Sequence, residues 1–359
     1  MRIAQVAPLW ERVPPPGYGG IELIVGLLTD ELVRRGHEVT LFASGDSQTL
    51  ASLSSVHECA LRLDDRIKEP GIYDMLQMGR VYGQATAFDV IHSHVGCVAL
   101  PYTELVQVPT VHTLHGIFTP DNSKLYKQFA SQPYISISNA QRELSLGINY
   151  VGTVYNGIDS KLYEFRPQPE TPPYLAFVGR ISPEKGPLQA IEVARRTGWT
   201  LKMAGKVDPV DREFFDREVK HQIDGEQIQY FGEVSHQQKA ALLAGAVATL
   251  FTITWREPFG LVMIESMACG TPVLAMAMGA APEVIVHNQT GFLVHSVDEM
   301  IEYLPRVETI SRRACREHVM NCFTVEKMTD GYEAAYRQIL TDKIQEQASV
   351  GVGTLQAAV

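Results

Sequence analysis

Short apolar segments alternate with amphipathic segments along the first half of the chain. Apolar residues recur at helical spacing over Ile21–Arg35, which predicts a helix that Gly36 ends. Five apolar segments predict buried strands: Arg2–Ala7, Glu38–Ala43, Val90–His92, Thr110–Leu114 and Ile135–Ser138. Strands and helices that alternate at this spacing favour a parallel sheet covered by helices on both faces.

The same alternation begins again after a proline-rich segment. Residues Phe165–Pro173 contain four prolines, which neither a helix nor a strand continues through, so a stiff linker is predicted. Beyond it a helix is predicted at Leu188–Thr197. Strands are predicted at Tyr174–Val178, Thr200–Ala204, Gln229–Phe231, Thr249–Thr252 and Pro272–Ala275. We therefore expect an α/β protein with two Rossmann-like domains.

An amphipathic pattern over residues 323–340 predicts a helix near the C-terminus. This helix lies outside the strand–helix alternation of either half. The last stretch, Gln345–Val359, is polar, contains glycine and has no periodicity, so we expect it to be loose.

The composition is that of a soluble globular protein, with 45% hydrophobic and 20% charged residues. The formal net charge is −10, and the first 165 residues already carry 17 Asp+Glu against 12 Lys+Arg. An acidic balance in both halves argues against nucleic acid as a partner and gives no general attraction to anionic lipid.

The cysteines and the lengths of the apolar runs indicate in which cellular compartment the protein is expected. The five cysteines are scattered, and no pair has metal-ligand spacing, which fits a reducing cytoplasm. No apolar run reaches the length of a membrane span, and Met1–Pro8 lacks a signal-peptide pattern. We expect a cytoplasmic protein without an integral membrane segment. Peripheral attachment to the inner membrane face and the oligomeric state stay open.

The segment Glu257–Val273 has the most specific chemical pattern in the chain. Glu257 and Glu265 lie eight positions apart across a glycine turn that leads into an apolar helix. The start of a helix leaves N–H groups unpaired and carries the positive end of the helix dipole, which suits a phosphate. Each carboxylate can accept hydrogen bonds from hydroxyl groups. Anion donors beside hydroxyl acceptors predict a pocket for a sugar nucleotide.

Two cations follow the first predicted strand of the second half. Arg180, directly after Gly179, offers a planar fork to phosphate oxygens, and Lys185 adds a point charge. A solvated loop also contains such residues, but ligands bind at the carboxyl ends of parallel strands, which favours a pyrophosphate site. The chain has no Asp-x-Asp triplet of the kind that holds a divalent metal, so no metal is expected.

Glycines precede the first predicted helix. Gly17, Gly19 and Gly20 let the backbone approach a ligand closely, although an ordinary loop has similar glycines. The segment does not match Gly-x-Gly-x-x-Gly, so a dinucleotide site is not indicated.

Three polar residues at predicted strand ends are further candidates. His115 ends the strand that also contains His112, which we expect to be structural. Asn139 and Asn156 lie at element ends near the presumed cleft, but asparagine is also common in turns. His92 and His94 have no third ligand at convincing spacing, so no metal site is predicted.

Together these motifs resemble the family 4 retaining glycosyltransferases, which have the two-domain GT-B fold. Besides the two-glutamate segment, the resemblance rests on Gly17–Glu22, Arg34–Val39, Asp89–His94, Asn156–Asp159, Gly179–Gly186 and Pro282–Ile285. It implies two Rossmann-like domains that face each other across a cleft: residues 1–165 for the acceptor and residues 166–323 for the sugar nucleotide. It also implies that a C-terminal helix, about residues 324–345, packs back on the first domain.

The resemblance implies a role for each matching residue. Glu257 contacts hydroxyls of the transferred sugar, His115 faces the same sugar, and both are the expected catalytic residues. The expected donor-binding residues are Gly179, Arg180 and Lys185 at the pyrophosphate, Glu265 at the ribose, the N–H groups of Phe259, Gly260 and Leu261, and Gly19 and Gly20 closing from the first domain. Gly17, Asn139 and Asn156 are expected on the acceptor side.

The implied activity is metal-independent transfer of a hexosyl group from a nucleotide-diphosphate sugar, by default UDP-glucose, to an acceptor hydroxyl. The expected mechanism is retaining and front-face, with no covalent sugar–enzyme intermediate and no cofactor. A nucleotide-sugar epimerase of the same fold, a phosphorylase with lysine-bound pyridoxal and a non-catalytic sugar-nucleotide-binding regulator remain alternatives. The acceptor, a small molecule or a glycan or glycolipid, stays open.

Overall fold

Two parallel sheets form the framework of the protein. The computed structural model describes the backbone of residues 1–356 and the side chains of residues 1–345. The first sheet has the order β3-β2-β1-β4-β5-β6-β7. Its strands are β1 (Arg2–Val6), β2 (Glu38–Phe42), β3 (Ser52–Ser54), β4 (Val90–Ser93), β5 (Thr110–Leu114), β6 (Tyr134–Ser136) and β7 (Tyr150–Thr153).

The second sheet begins after the proline-rich segment and has the order β10-β9-β8-β11-β12-β13. Its strands are β8 (Leu175–Val178), β9 (Leu201–Ala204), β10 (Ile228–Tyr230), β11 (Ala248–Phe251), β12 (Val273–Met276) and β13 (Gly291–Val294). All neighbouring strands in both sheets are parallel, as the alternating pattern predicts. The two sheets lie on either side of the predicted division at residues 165 and 166.

The α-helices that the structure describes connect or flank these strands. They are α1 (Gly20–Arg34), α2 (Pro70–Gly83), α3 (Leu100–Thr103), α4 (Pro120–Gln128), α5 (Pro187–Thr197), α6 (Arg212–Phe214), α7 (His236–Gly245), α8 (Leu261–Ala268), α9 (Ala281–Val284), α10 (Val297–Tyr303), α11 (Arg312–Cys322) and α12 (Val325–Gln356). A π-helical turn, Phe215–Val219, continues α6. Short 3-10 turns occur elsewhere, including Pro183–Lys185 before α5.

Three strands were not predicted from the apolar pattern: β3, β7 and β13. Each lies at an edge of its sheet. β3 and β7 are only partly buried, and β13 begins with glycine, so none of them forms the uninterrupted apolar run by which a central parallel strand is found. The strands that were predicted are all present, with ends shifted by at most two residues.

Helix α12 packs on the first sheet, as the family resemblance implies. Its buried residues Met328, Tyr332 and Tyr336 belong to one hydrophobic cluster with Ile3 of β1 and Ile24 of α1.

Helix α12 continues to Gln356, so the prediction of a loose segment from Gln345 is wrong as far as that residue. The segment has no proline that would end a helix. Residues 357–359 lie outside the described part of the chain.

None of the described helices has both the length and the apolar character needed to cross a bilayer.

Contacts between the two halves hold the carboxyl ends of the sheets face to face. The Ser138 hydroxyl donates to the Pro258 carbonyl oxygen at 2.6 Å. On the other side of the cleft, the Tyr18 N–H donates to Glu233 Oε1 at 3.3 Å, and the Lys206 ammonium lies 3.7 Å from the centroid of the Tyr18 ring. Loops after strands of both domains therefore enclose a common space.

We expect Tyr332→Ala to lower the free energy of unfolding by about 3–5 kcal/mol, because its fully buried ring fills space between α12 and the first sheet. Ile344→Ala on the same helix is the matched control. Its side chain is 67% exposed, so a change below about 0.5 kcal/mol is expected. Urea unfolding followed by circular dichroism measures both variants, and equal effects would contradict the packing of α12.

Candidate functional site

A cavity of about 380 Å³ lies between the two domains. Both domains contribute to its lining. Of the residues predicted from the sequence, the lining includes Gly17, Gly19, Gly20, His115, Asn156, Gly179, Arg180, Lys185, Glu257, Phe259, Gly260, Leu261 and Glu265. The structure thus brings every predicted site residue except Asn139 to one cleft, although they come from positions 17 to 265 of the chain.

The start of helix α8 opens into this cavity. Gly260 precedes the helix with φ +85°, a conformation that favours glycine, and a Cβ atom there would lie 2.7 Å from the Phe251 ring. Within the described residues, the N–H groups of Gly260, Leu261 and Val262 donate to no protein acceptor. Three unpaired donors at the positive end of a helix dipole form a site for an anion.

Glu257 and Lys185 form an ion pair at the edge of the cavity. Lys185 Nζ donates to Glu257 Oε2 at 2.5 Å, and the Trp255 indole N–H donates to the same oxygen at 2.8 Å. The ammonium also lies 5.1 Å from the Trp255 ring centroid. Since both bonds use Oε2, Oε1 of this nearly buried carboxylate remains an acceptor for a hydroxyl group.

Glu265, eight residues further along the chain and within α8, has a similar arrangement. Lys239 Nζ donates to Glu265 Oε1 at 2.6 Å, and the Tyr163 hydroxyl donates to that oxygen at 2.8 Å. The Glu265 side chain is 2% exposed. The two acids on either side of the α8 start are therefore each held by a lysine through one oxygen, with the other oxygen available to a ligand.

Arg180 is surrounded by acids rather than free in solution. Its guanidinium pairs with Glu184, and Nη1 lies 3.4 Å from Asp208 Oδ2. Lys206 Nζ contacts the other oxygen of Asp208 at 2.8 Å. These acids hold Arg180 and Lys206 side by side at the ends of β8 and β9, where they can place two positive charges on a phosphate group.

The glycine loop of the first domain closes the cavity from the opposite side. Gly19 has φ +135°, and a Cβ atom on it would lie 2.8 Å from Pro15, so a larger residue would not fit. A Cβ atom on Gly20 would meet Leu261 of α8 at 3.5 Å. The start of α1 and the start of α8 thus face each other across the cleft.

A chain of buried hydrogen bonds leads from His115 into the first domain. His115 Nε2 lies 2.9 Å from His94 Nδ1, and His94 Nε2 lies 3.0 Å from Gln5 Oε1. Gln5 Nε2 donates to the Tyr336 hydroxyl at 3.1 Å, and that hydroxyl lies 2.6 Å from His92 Nδ1. The side chain at the cavity is therefore connected to helix α12.

This series of hydrogen bonds determines which nitrogen of the His115 ring carries a proton. An amide oxygen only accepts, so His94 must donate to Gln5 from Nε2 and accept at Nδ1. His115 then donates from Nε2, which leaves a lone pair on its Nδ1. Desolvation lowers the pKa of His115 to about 4. Near neutral pH its ring is uncharged and can accept a hydrogen bond from a hydroxyl group.

The two asparagines differ in placement. Asn156 lines the cavity, and its buried Oδ1 has no hydrogen-bond partner within the described residues. Asn139, also predicted on the acceptor side, is not among the residues that line this cavity. Its side-chain amide donates to Glu283 Oε2 at 3.0 Å and to the Tyr155 hydroxyl at 3.2 Å. Asn139 therefore serves a contact between the two halves.

Sequence reasoning missed several lining residues. Lys206 had an available signal, because Gly205-Lys206 follows the predicted strand β9 just as Gly179-Arg180 follows β8. Lys239 and His236 lie on the polar helix α7, where nothing in the local pattern separates them from solvated residues.

No metal site was predicted from the sequence. Among the described residues, His57, Cys59 and Asp64 are close enough together to share an ion. They do not line the cavity, and Asp64 is paired with Arg66 at 2.7 Å.

Comparison with known proteins follows the same division of the chain. A model of Glycosyltransferase Family 4 matches residues 18–162, and a model of Glycosyl transferases group 1 matches residues 160–317. Glycogen synthase from Mycobacterium tuberculosis is 30% identical over 344 residues, covering 81% of this chain and 81% of the relative.

Solved structures resemble the whole chain. AviGT4, a glycosyltransferase involved in avilamycin A biosynthesis, is 26% identical, with a TM-score of 0.73 over 95% of this chain and 98% of that one. Sucrose-phosphate synthase from Thermosynechococcus elongatus is 20% identical, with a TM-score of 0.78 over 95% of this chain and 100% of that one. At that level of identity the second likeness concerns the fold alone.

The buried histidines predict a loss of stability in weak acid. Burial lowers the pKa of His112 to about 3, whereas an unfolded histidine has a pKa near 6.5. Protons therefore bind the unfolded state first as the pH falls below about 6.5. Between pH 7 and pH 5, this one residue should cost about 2 kcal/mol of unfolding free energy.

Between pH 7 and pH 5, we expect the free energy of unfolding to fall by about 2 kcal/mol less in His112→Leu than in the unaltered protein. His295→Gln is the control, since the His295 side chain is 78% exposed. Urea unfolding at the two pH values gives the comparison. An unchanged pH dependence in His112→Leu would contradict the burial of a neutral imidazole.

Proposed function

Since the chain belongs to the family 4 glycosyltransferases, and is a glycosyltransferase with the GT-B fold, we propose that it moves a hexosyl group from a nucleotide-diphosphate sugar to an acceptor hydroxyl with retention. The observation that supports this most is the start of α8. Three unpaired N–H groups lie there between two lysine-held carboxylates, in a cavity shared by both domains. UDP-glucose is the first donor to test.

The diphosphate is the leaving group, and its growing negative charge must be stabilised. The N–H groups at α8, the Arg180 guanidinium and the Lys185 and Lys206 ammonium groups are arranged around one cavity before any ligand binds. Donors placed in advance against a developing charge supply much of an enzyme's rate enhancement. We propose that these groups replace a divalent metal.

The transferred sugar develops positive charge as its bond to the diphosphate breaks. We propose that Glu257 Oε1 and His115 Nδ1 accept hydrogen bonds from its hydroxyl groups. Both atoms are free acceptors on nearly buried side chains, which fixes the sugar ring relative to the phosphate donors. Glu265 is proposed to hold the ribose in the same way.

We propose a front-face reaction. The acceptor oxygen bonds to the anomeric carbon on the face that the diphosphate leaves, and the acceptor proton passes to a departing phosphate oxygen. The lone pair of the broken carbon–oxygen bond stays with the diphosphate. A covalent route through Glu257 is the competing mechanism, and a glycosylated Glu257 side chain seen by mass spectrometry would contradict front-face transfer.

A donor screen tests the function directly. Thermal shifts with UDP-, GDP- and ADP-sugars identify the donor, because a ligand that binds the folded state raises Tm. NMR of the bound donor, incubated with and without acceptor alcohols, then separates transfer from epimerisation. Interconversion of the donor alone would show an epimerase, and tight binding without any reaction would show a regulator. Activity that disappears with EDTA and returns with Mg²⁺ would contradict metal independence.

We expect Arg180→Ala to weaken UDP binding about tenfold to a hundredfold, while uridine binding changes little. The substitution removes a cation from the proposed phosphate contact and leaves Glu184 without its ion-pair partner. Arg217→Ala, on a side chain that is 74% exposed, is the control and should leave both affinities unchanged. Equal weakening of UDP and uridine in calorimetry would argue against a phosphate contact.

We expect Glu257→Gln to lower kcat on the order of 10²-fold while UDP binds at least as tightly as before. The neutral amide loses the strong contact to the sugar and releases Lys185 from its ion pair. Steady-state kinetics and calorimetry provide the two readouts. Near-normal turnover would show that Glu257 does not act on the transferred sugar.

A further inference from the structure

A second cavity, of about 510 Å³, lies within the first domain. It shares two lining residues, His115 and Ile21, with the cavity between the domains. The two spaces therefore meet at the histidine that faces the proposed sugar position. A molecule in the second cavity can present a hydroxyl group at that junction.

The lining of the second cavity is mostly apolar. It includes the aliphatic residues Leu9, Leu61 and Leu114 and the aromatic residues Phe118 and Tyr126. Trp10 and Ile117 also line it, although their side chains are 49% and 46% exposed in the free protein. An exposed indole at such a cavity offers a flat apolar surface. An apolar ring that stacks on it is removed from water, which is favourable in free energy.

The second cavity has no positive charge of its own. No Lys or Arg is among the described residues that line it. The nearby Arg62 guanidinium turns away to Glu11 at 2.6 Å, and Lys68 Nζ donates to the Asp65 carbonyl oxygen at 2.7 Å. Burial lowers the pKa of His94 far below its ordinary value, so this lining residue is uncharged as well.

The carboxylate among the described residues that line this cavity is Asp74. Within the described part of the chain its carboxylate has no hydrogen-bond or ion-pair partner, and desolvation raises its pKa. A phosphate or carboxylate in this cavity would lose its hydration, find no cation and lie near another acid, which is unfavourable. A hydroxyl group would instead find an acceptor.

We propose that this cavity binds the acceptor, and that the acceptor is an uncharged small molecule with an aromatic or alicyclic body and hydroxyl groups. The volume lies in the range of small-molecule sites, which are lined mainly by apolar side chains with a few polar groups. One hydroxyl lies at His115 for transfer, and Asp74 accepts a hydrogen bond from another. This inference rests on the proposed transferase function.

Direct binding tests the acceptor class without requiring turnover. The probes are phenyl, naphthyl and cyclohexyl β-D-glucosides, each compared with methyl β-D-glucoside, which lacks the apolar body, and with its own 6-phosphate. Calorimetry and ligand-observed NMR measure binding to the full chain in the presence of UDP. We expect at least one apolar glucoside to bind about tenfold tighter than both of its counterparts.

Substitutions in the second cavity give a sharper result. Asp74→Lys should raise the affinity for each 6-phosphate relative to that for the unphosphorylated glucoside by about tenfold or more. The reason is that it replaces a repelling charge with an attracting one. Trp10→Ala should weaken the apolar glucosides and leave methyl β-D-glucoside unchanged. Asp65→Lys, at an exposed position outside the lining, is the matched control for charge and should leave the ratio unchanged.

Two results would overturn the inference. One is preferential binding of the 6-phosphates by the unaltered protein; the other is equal binding of apolar and methyl glucosides. UDP-glucose binding and hydrolysis, measured on the same variants, separate these failures from failure of the proposed function. If the donor binds and reacts while acceptor selectivity is absent, only the acceptor class is wrong. If the donor does not bind, the transferase proposal fails, whatever the glucosides show.

Discussion

The unpaired N–H groups at the start of helix α8 are the constraint on which the cleft depends. A helix start that is not capped by its own chain needs an anion or water, and here Gly260 leaves no side chain to cover it. The residues around the helix start are arranged in keeping with this need for an anion. Cations lie near the anion site at the ends of β8 and β9, and each carboxylate on either side of the helix start is held by a lysine through one oxygen, which leaves its other oxygen free to accept a hydrogen bond.

The first domain fixes the orientation of His115, one of its polar residues at the cavity. His115 would be free to adopt either tautomer in water. The hydrogen bonds through His94 and Gln5 to Tyr336 remove that freedom, so helix α12 contributes to the cleft without reaching it. The C-terminal helix thus has a chemical role in addition to its packing on the first sheet.

Much of the framework, and many of the residues that line the cavity between the domains, could be predicted from the sequence, because these features are local. Central parallel strands are continuous apolar runs, and Arg180 follows the end of β8 by two residues, at the sheet edge where the loops of a parallel sheet converge. Glu257 precedes α8 by four residues. What could not be predicted depends on tertiary structure. The direction of Asn139 is set by Glu283 from the other half, and Lys239 reaches Glu265 from a separate helix. The edge strands β3 and β7 were missed because partial exposure removes their apolar signal, and β13 was missed because it begins with glycine.

The contact between Tyr18 and Lys206 has a consequence for release under the proposed function. Lys206, which lies beside Arg180 at the end of β9, also contacts a ring from the opposite domain. If a nucleotide binds in the cleft as proposed, we expect its departure to require that this contact open and that the two halves move apart. Turnover would then depend on how often the weak contacts between the halves open as well as on the strength of phosphate binding.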